Sequence, residues 1–168
     1  MPTMKDYRTV VVGTDGSALA LPTVMRAAWL ARHDEADLVI VCAWSELSRR
    51  AEAKNVLGVG DARTGEVLGR QAASDAVAAA VAAANEEGAT IAAALVVEGE
   101  PATALLQVAQ DRGADLLVVG ALKDRSIAGR LLGTVAGDVV KRAACDVLVI
   151  RPADGATERE VPESAPLA

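Results

Sequence analysis

The segment DLLVVGALKDRSIAGRLLGTVAGDVVKRAACDVLVIRP, residues 115–152, decides the fold predicted for this chain. It begins with the short apolar run Leu116–Val119, which ends at Gly120, and it closes with a second apolar run, Val147–Ile150. A polar loop, the dipeptide Gly133-Thr134 and a helix-length stretch lie between them. This order predicts one βαβ unit. The loop of such a unit lies beyond the carboxyl ends of the strands, where open α/β sheets bind ligands.

Apolar runs of strand length recur along the chain and alternate with helix-length segments. The runs are continuous rather than alternating, which is typical of strands buried on both faces of a parallel sheet. Right-handed crossovers, with a switch point beside the first strand, favour a doubly wound α/β fold with helices on both faces. The five predicted strands are Thr9–Val12, Asp37–Trp44, Ile91–Val97, Leu116–Val119 and Val147–Ile150.

Helix signals fill the intervals between these strands. The first helix is expected to begin later than Ser17, because Pro22 is comfortable only in a first helical turn. The second, Glu66–Glu87, is rich in alanine and is followed by Gly88, a residue that often ends helices. A third helix is predicted to begin at Pro101, since proline suits the first helical position.

The chain of 168 residues fits one domain, predicted to span residues 1–152. Residues 153–168 lack periodicity and are rich in Glu, Pro and Ala, so we predict a disordered acidic tail. The segment Ser45–Gly65 reads as a long loop, either an ordered lid or a mobile connection.

Composition excludes several classes of partner. The formal net charge of −6 argues against nucleic acid, since binding to phosphate backbones depends on clustered Lys and Arg. No signal peptide is recognisable at the amino terminus, and no apolar run approaches the roughly 20 residues that cross a bilayer. We therefore expect a cytoplasmic protein that does not bind membranes.

Catalytic patterns are missing from the sequence. The only histidine, His33, falls near a predicted helix end, and the two cysteines, Cys42 and Cys145, are far apart and read as small buried hydrophobes. No metal-ligand spacing, His-based triad or Walker loop occurs. The sequence therefore indicates binding rather than catalysis, although slow ATP hydrolysis stays open.

Two features indicate a binding site. The loop from Gly120 to Gly133-Thr134 offers glycines that let backbone approach a phosphate, and a hydroxyl at a helix start. Its alternative is a strand exit followed by an ordinary helix. Thr14 and Asp15, which follow Gly13 at the end of the first strand, could accept hydrogen bonds from a ribose or a base amine. Their alternative is an Asx-turn that leads into the helix. The predicted topology brings both features into one crevice.

Three blocks of the sequence resemble the universal stress protein family. They are VVVGTDGS (10–17), GEPATALLQVAQDRGADLLVVG (99–120) and GRLLGTVAGDVVKRAACDVLVIRP (129–152), and the likeness covers roughly residues 7–152. The resemblance implies a five-stranded parallel sheet of order 3-2-1-4-5. It also implies a homodimer that pairs the last strand, Val147–Ile150, and an unidentified regulatory partner.

One branch of that family binds ATP through a Gly-x2-Gly-x9-Gly-Ser/Thr motif, and a smaller group with a similar IAGRLLG segment binds cyclic AMP. The motif maps onto Gly120, Lys123 and Gly133-Thr134, with Lys123 in place of the second glycine. A lysine there would crowd a triphosphate but could itself pair with a phosphate. The resemblance assigns further nucleotide contacts to Thr14, Asp15, Ala43, Val119, Val135 and Ala136.

The sequence thus predicts a regulatory protein of the stress response that binds an adenine nucleotide. The candidates are AMP, cyclic AMP and ATP, with Mg²⁺ if the ligand is ATP. The alternative is a dimeric interaction module of the same fold that has lost nucleotide binding, which Lys123 would explain.

Overall fold

The computed structural model describes residues 6–46, 67–121 and 133–151 of the chain. In chain order the helices and strands are β1 (Thr9–Gly13), α1 (Leu21–His33), β2 (Asp37–Ser45), β3 (Val67–Leu68), α2 (Arg70–Glu86), β4 (Thr90–Glu98), α3 (Pro101–Asp111), β5 (Leu116–Gly120), α4 (Thr134–Arg142) and β6 (Asp146–Ile150).

The long strands form one parallel sheet in the order β4-β2-β1-β5-β6. Counted without the short β3, this is the predicted order 3-2-1-4-5, so the doubly wound α/β fold is confirmed. The bounds of the five predicted strands are also correct to within one residue at each end. The order reverses at β1, and β5 therefore lies directly beside β1 at the switch point.

The sheet is covered by helices on both faces. Val10 and Val12 of β1 pack with α1 and α2 on one face, and Val11 between them packs with α3 and α4 on the other. All three side chains are fully buried, as expected for a central parallel strand. The helix faces toward the sheet are rich in alanine, which lets the layers approach closely.

The first described residues of the predicted helix Glu66–Glu87 are not helical. Val67 and Leu68 form the short strand β3, which pairs with Trp44 and Ser45 at the end of β2. Gly69 separates the strand from the helix with φ 92° and ψ 143°, a conformation that only glycine adopts readily. The helix therefore begins at Arg70 and ends one residue before the predicted Glu87, with Gly88 at φ 77° beyond it.

Asp115 stabilises the end of the sheet at which the parallel strands begin. Its Oδ2 accepts hydrogen bonds from the backbone amides of Arg8, at 2.8 Å, and Thr9, at 3.1 Å. These bonds join the segment before β1 to the residue before β5. The register between β1 and β5 is therefore fixed at one edge, which sets how their carboxyl ends face each other at the other edge.

Several predictions fall on other parts of the chain. The tail 153–168, residue Lys123 and all but the first two residues of the loop Ser45–Gly65 lie outside the described residues. Within the described ranges, no helix combines the length and the apolar character that a membrane crossing requires.

Candidate functional site

A cleft opens at the carboxyl edge of the sheet, between the ends of β1 and β5. The walls come from the loop after β1, the start of α1, the ends of β2 and β5, and the starts of α3 and α4. The predicted site residues that line it are Gly13, Thr14, Asp15, Ala43, Val119, Gly120, Gly133, Val135 and Ala136. The topology thus brings the two predicted binding features together, as expected at a switch point.

The loop after β1 is stabilised by side-chain hydrogen bonds to backbone amides two residues further along the chain. Oδ1 of Asp15 accepts from the amide of Ser17 at 2.9 Å, and Oγ1 of Thr14 accepts from the amide of Gly16 at 3.2 Å. The Asx-turn that the sequence offered as an alternative is therefore present. It uses only one carboxylate oxygen of Asp15, and Oδ2 has no hydrogen-bond partner among the described residues. The turn therefore orients the carboxylate through Oδ1 and leaves Oδ2 outside the turn's hydrogen bonds.

The position of this turn also depends on Gly16, which has φ 76°. A Cβ atom added at Gly16 would lie 2.7 Å from the Cβ of Ala76 on α2. A larger residue would therefore have to move the turn away from α2, in addition to the strain of a positive φ. The Asp15 carboxylate is placed in the cleft by a glycine that was not among the predicted site residues.

A buried thiol lies close to Asp15. Cys42 is fully enclosed next to α2, and its burial together with the negative charge of Asp15 raises the pKa of the thiol to about 11. The neutral thiol is not a nucleophile. Burial also raises the pKa of Cys145, and both cysteines are free. Cys42 agrees with the predicted role of a small buried hydrophobe, whereas Cys145 is only partly buried.

The glycines at the two strand ends are required by packing rather than by backbone conformation. A Cβ at Gly120 would lie 2.9 Å from Oγ1 of Thr23, and a Cβ at Gly13 would lie 2.9 Å from Cδ1 of Leu105. Neither glycine has a positive φ. The sequence assigned Gly120 to the approach of backbone and phosphate, whereas in the structure the space beside it is filled by a threonine side chain of α1.

The start of α4 has no side-chain cap. Gly133 precedes the helix with φ 83° and ψ 159°, and the first helical hydrogen bond runs from the amide of Gly137 to the carbonyl of Gly133. The amides of Thr134, Val135 and Ala136 therefore have no partner among the described residues. Free amides at a helix start, together with the helix dipole, suit an anion.

The side chain of Thr134 is exposed and does not line the cleft, although its amide belongs to this helix start. Lining residues that the sequence reasoning missed are Ser17, Leu19, Ala20, Thr23, Val41, Pro101, Leu105 and Ala121. Most of them are apolar and carry no chemical pattern. Ser17 and Thr23 carry hydroxyls, and the signal that could have found Thr23 is a hydroxyl on the otherwise apolar buried face of α1.

The sequence and the fold of this chain are similar to those of known proteins. A profile of the universal stress protein family matches residues 6–151. The chain belongs to this family. The resemblance that the three sequence blocks indicated is therefore confirmed, and the match covers the whole described fold.

Alignments with relatives of this universal stress protein cover nearly the whole of each relative and most of this chain. It is 38% identical over 147 residues to the universal stress protein Rv1636 of Mycobacterium tuberculosis, an alignment that covers 88% of this chain and 98% of the relative. A solved universal stress protein in complex with cAMP is 34% identical, with a TM-score of 0.65 over 88% of this chain and 98% of its own. A universal stress protein from Archaeoglobus fulgidus is 25% identical, with a TM-score of 0.63 over 86% and 98% of the two chains.

Proposed function

We propose that this universal stress protein binds an adenine nucleotide in the cleft and acts as a regulatory protein with little or no catalysis. The observation that carries the proposal is the pairing of two groups across one cleft. The Asp15 carboxylate, with one oxygen unbonded among the described residues, lies on one side, and the uncapped start of α4 lies on the other.

The base, the ribose and the phosphate of a nucleotide each have chemically complementary groups in the cleft. Val41, Ala43 and Val119 offer apolar surface to a base. Asp15 accepts hydrogen bonds from ribose hydroxyls. The amides of Val135 and Ala136 donate to a phosphate. The relative solved in complex with cAMP, at 34% identity, supports a cyclic or simple monophosphate.

We expect AMP or cyclic AMP to bind at least as tightly as ATP. The reason is Lys123, which replaces the second glycine of the ATP-binding motif in the sequence. A lysine obstructs a triphosphate laid along that loop more than it obstructs a single phosphate seated on Gly133-Thr134. Mg²⁺ would be needed only with ATP.

Isothermal titration calorimetry of the full chain with AMP, cyclic AMP and ATP tests this proposal. Saturable binding of at least one nucleotide is expected, and Asp15→Asn is expected to weaken it, because the neutral amide of asparagine is a poorer acceptor for ribose hydroxyls than a carboxylate. The absence of saturable binding for all three ligands would refute the proposal. A strong preference for ATP would refute the part that depends on Lys123.

A homodimer through β6 is a second, independent proposal. β6 pairs only with β5 in the described sheet, and Val147–Ile150 are only half-buried in the single chain. An exposed parallel strand edge of this kind favours pairing with another strand. Light scattering at several protein concentrations should give twice the mass of the chain, and a monomer at every concentration would contradict it.

The interaction module without a nucleotide is the competing function. It is favoured by the same sequence feature, Lys123 at a motif glycine. The two functions differ in one measurable property, since restoring the glycine with Lys123→Gly would create nucleotide binding only if the wild-type chain lacks it. A wild-type chain that already binds AMP tightly excludes the module. A cytoplasmic location stays a prediction from the sequence.

A further inference from the structure

Thr23 stands apart from the rest of the core. Of the described residues that are fully buried, it is the one with a polar side chain, and only 1% of its surface is exposed. It lies in the first turn of α1, on the face that packs against the sheet, and it lines the cleft. A hydroxyl in such a position normally has a hydrogen-bond partner.

The Thr23 hydroxyl has no such partner in the described parts of the chain. Every side-chain nitrogen or oxygen that is fully enclosed there does have one. The Thr23 oxygen is therefore not fully enclosed, and the small exposed part of this residue includes it. Since Thr23 lines the cleft and its Oγ1 reaches the space beside Gly120, the hydroxyl faces the cleft.

We propose that the Thr23 hydroxyl forms a hydrogen bond with an oxygen of the bound nucleotide and so contributes to affinity. The inference rests on the proposed function and adds a contact that the sequence motif does not contain. Gly120 lines the same cleft as Asp15 and the start of α4, so a ribose-phosphate group bound between those two has Gly120 and Thr23 in the surrounding wall. A Cβ atom at Gly120 would lie 2.9 Å from this hydroxyl, so a side chain at that position would crowd it.

The ligand oxygen could belong to the phosphate or to the ribose, and both suit the Thr23 hydroxyl. A hydroxyl can donate to a phosphate and can donate to or accept from a ribose hydroxyl. A buried hydroxyl without a partner is unfavourable, and binding would supply the partner. The Thr23 hydroxyl should therefore strengthen ligand binding while contributing nothing to the stability of the ligand-free protein.

The test uses two substitutions that separate the hydroxyl from the shape of the side chain. Thr23→Val keeps the shape and removes the hydroxyl, and Thr23→Ser keeps the hydroxyl. Calorimetry with AMP and with adenosine is combined with melting temperatures of the ligand-free proteins. We expect Thr23→Val to weaken AMP binding by about threefold to tenfold, the net loss of one hydrogen bond, without lowering the melting temperature. Thr23→Ser should bind AMP nearly as well as the wild type.

The adenosine titration identifies the ligand oxygen. An effect of Thr23→Val on AMP alone assigns the hydrogen bond to the phosphate, and an equal effect on adenosine assigns it to the ribose. Unchanged AMP affinity in Thr23→Val, with a wild type that binds, overturns this inference alone. A lower melting temperature with equally weak binding in both variants overturns it as well, since the residue would then be structural. A wild type that binds none of these ligands overturns the proposed function and this inference together.

Discussion

The helices α3 and α4 both begin at the carboxyl edge of the sheet and both contribute to the cleft, but their first turns are closed in different ways. Glu100 precedes α3, and its two carboxylate oxygens accept from the amides of Ala102, at 3.0 Å, and Thr103, at 2.8 Å. Pro101, the first helical residue, has no amide hydrogen. The start of α3 is therefore complete within the protein.

The start of α4 has no such cap among the described residues. Gly133 carries no side chain that could cap the helix, and the amides of the first turn have no partner among the described residues. The fold thus places several helix starts at this edge, and the residue before each helix decides whether its first amides are capped. A carboxylate closes one start against anions, and a glycine leaves the other open for them.

The largest effect on AMP affinity is expected from a negative charge placed in the first turn of α4. Thr134→Asp puts a carboxylate in the first turn, where it interacts favourably with the helix dipole by about 0.3–1 kcal/mol. The same charge repels a phosphate seated there, and we expect AMP affinity to fall by about tenfold to a hundredfold. Calorimetry and thermal melting should thus change in opposite directions.

Thr134→Asn is the matched neutral control for that experiment. It has nearly the same shape as the aspartate and should keep most of the AMP affinity. If Thr134→Asp binds AMP as tightly as Thr134→Asn, no phosphate occupies the start of α4.

The second effect concerns the glycine that leaves α4 open. Gly133→Ala forces a side chain onto φ 83° and ψ 159°, and we expect it to lower the free energy of unfolding by about 1–3 kcal/mol. Gly137→Ala, in the same helix, is the control, because a Cβ there meets nothing within 4 Å. This substitution should raise stability by about 0.5–1 kcal/mol. Urea denaturation measures both, and two changes of equal sign would contradict the conformational role of Gly133.

The smallest effect is expected from weakening the Glu100 cap at the start of α3, and it concerns the free energy of unfolding. Burial alone would raise the pKa of Glu100, but the hydrogen bonds from Thr103 and Ala102 and the nearby Arg142 guanidinium outweigh it and hold the pKa below its usual value. Glu100→Gln weakens the cap, and we expect a loss of about 1 kcal/mol in the free energy of unfolding at pH 7. AMP affinity should not fall, because α3 does not hold the phosphate.

The pH dependence of that loss follows from the direction of the pKa shift. A carboxyl with a lowered pKa in the folded state contributes stability above its unfolded pKa, and this contribution disappears as the pH falls through the folded value. The difference between wild type and Glu100→Gln should therefore shrink in acid. A difference that is constant from pH 7 down to the acid unfolding range would show that the Glu100 charge does not cap α3.

Particular residues show how far the sequence could predict this molecule. The strands were predictable because they are continuous apolar runs that alternate with helix signals, and two of them, Val10–Val12 and Leu116–Val119, end at a glycine. β3 was not, since a two-residue strand such as Val67–Leu68 has no periodicity and forms only because the end of β2 offers it a partner. Its pairing is a tertiary contact that overrides the helix propensity of the surrounding sequence.

Cleft residues were predictable where they follow a strand end, as Asp15 does, or precede a helix within a motif, as Gly133 does. Thr23 could not be found in this way, because a threonine on a helix gains its role only through what it packs against. Gly120 was identified as a site residue for an incomplete reason. Its lack of a side chain accommodates Thr23, and this became visible only once α1 and β5 were placed side by side.

The most direct test of the nucleotide site is the amide chemical shift of ¹⁵N-labelled protein during titration with AMP. If the phosphate is seated at α4, the amides of Val135 and Ala136 shift strongly, and those of Ala102 and Thr103, already bound to Glu100, shift little. Equal shifts at the two helix starts, or no shift at α4 while AMP binds, would contradict the assignment of the open helix start to the phosphate.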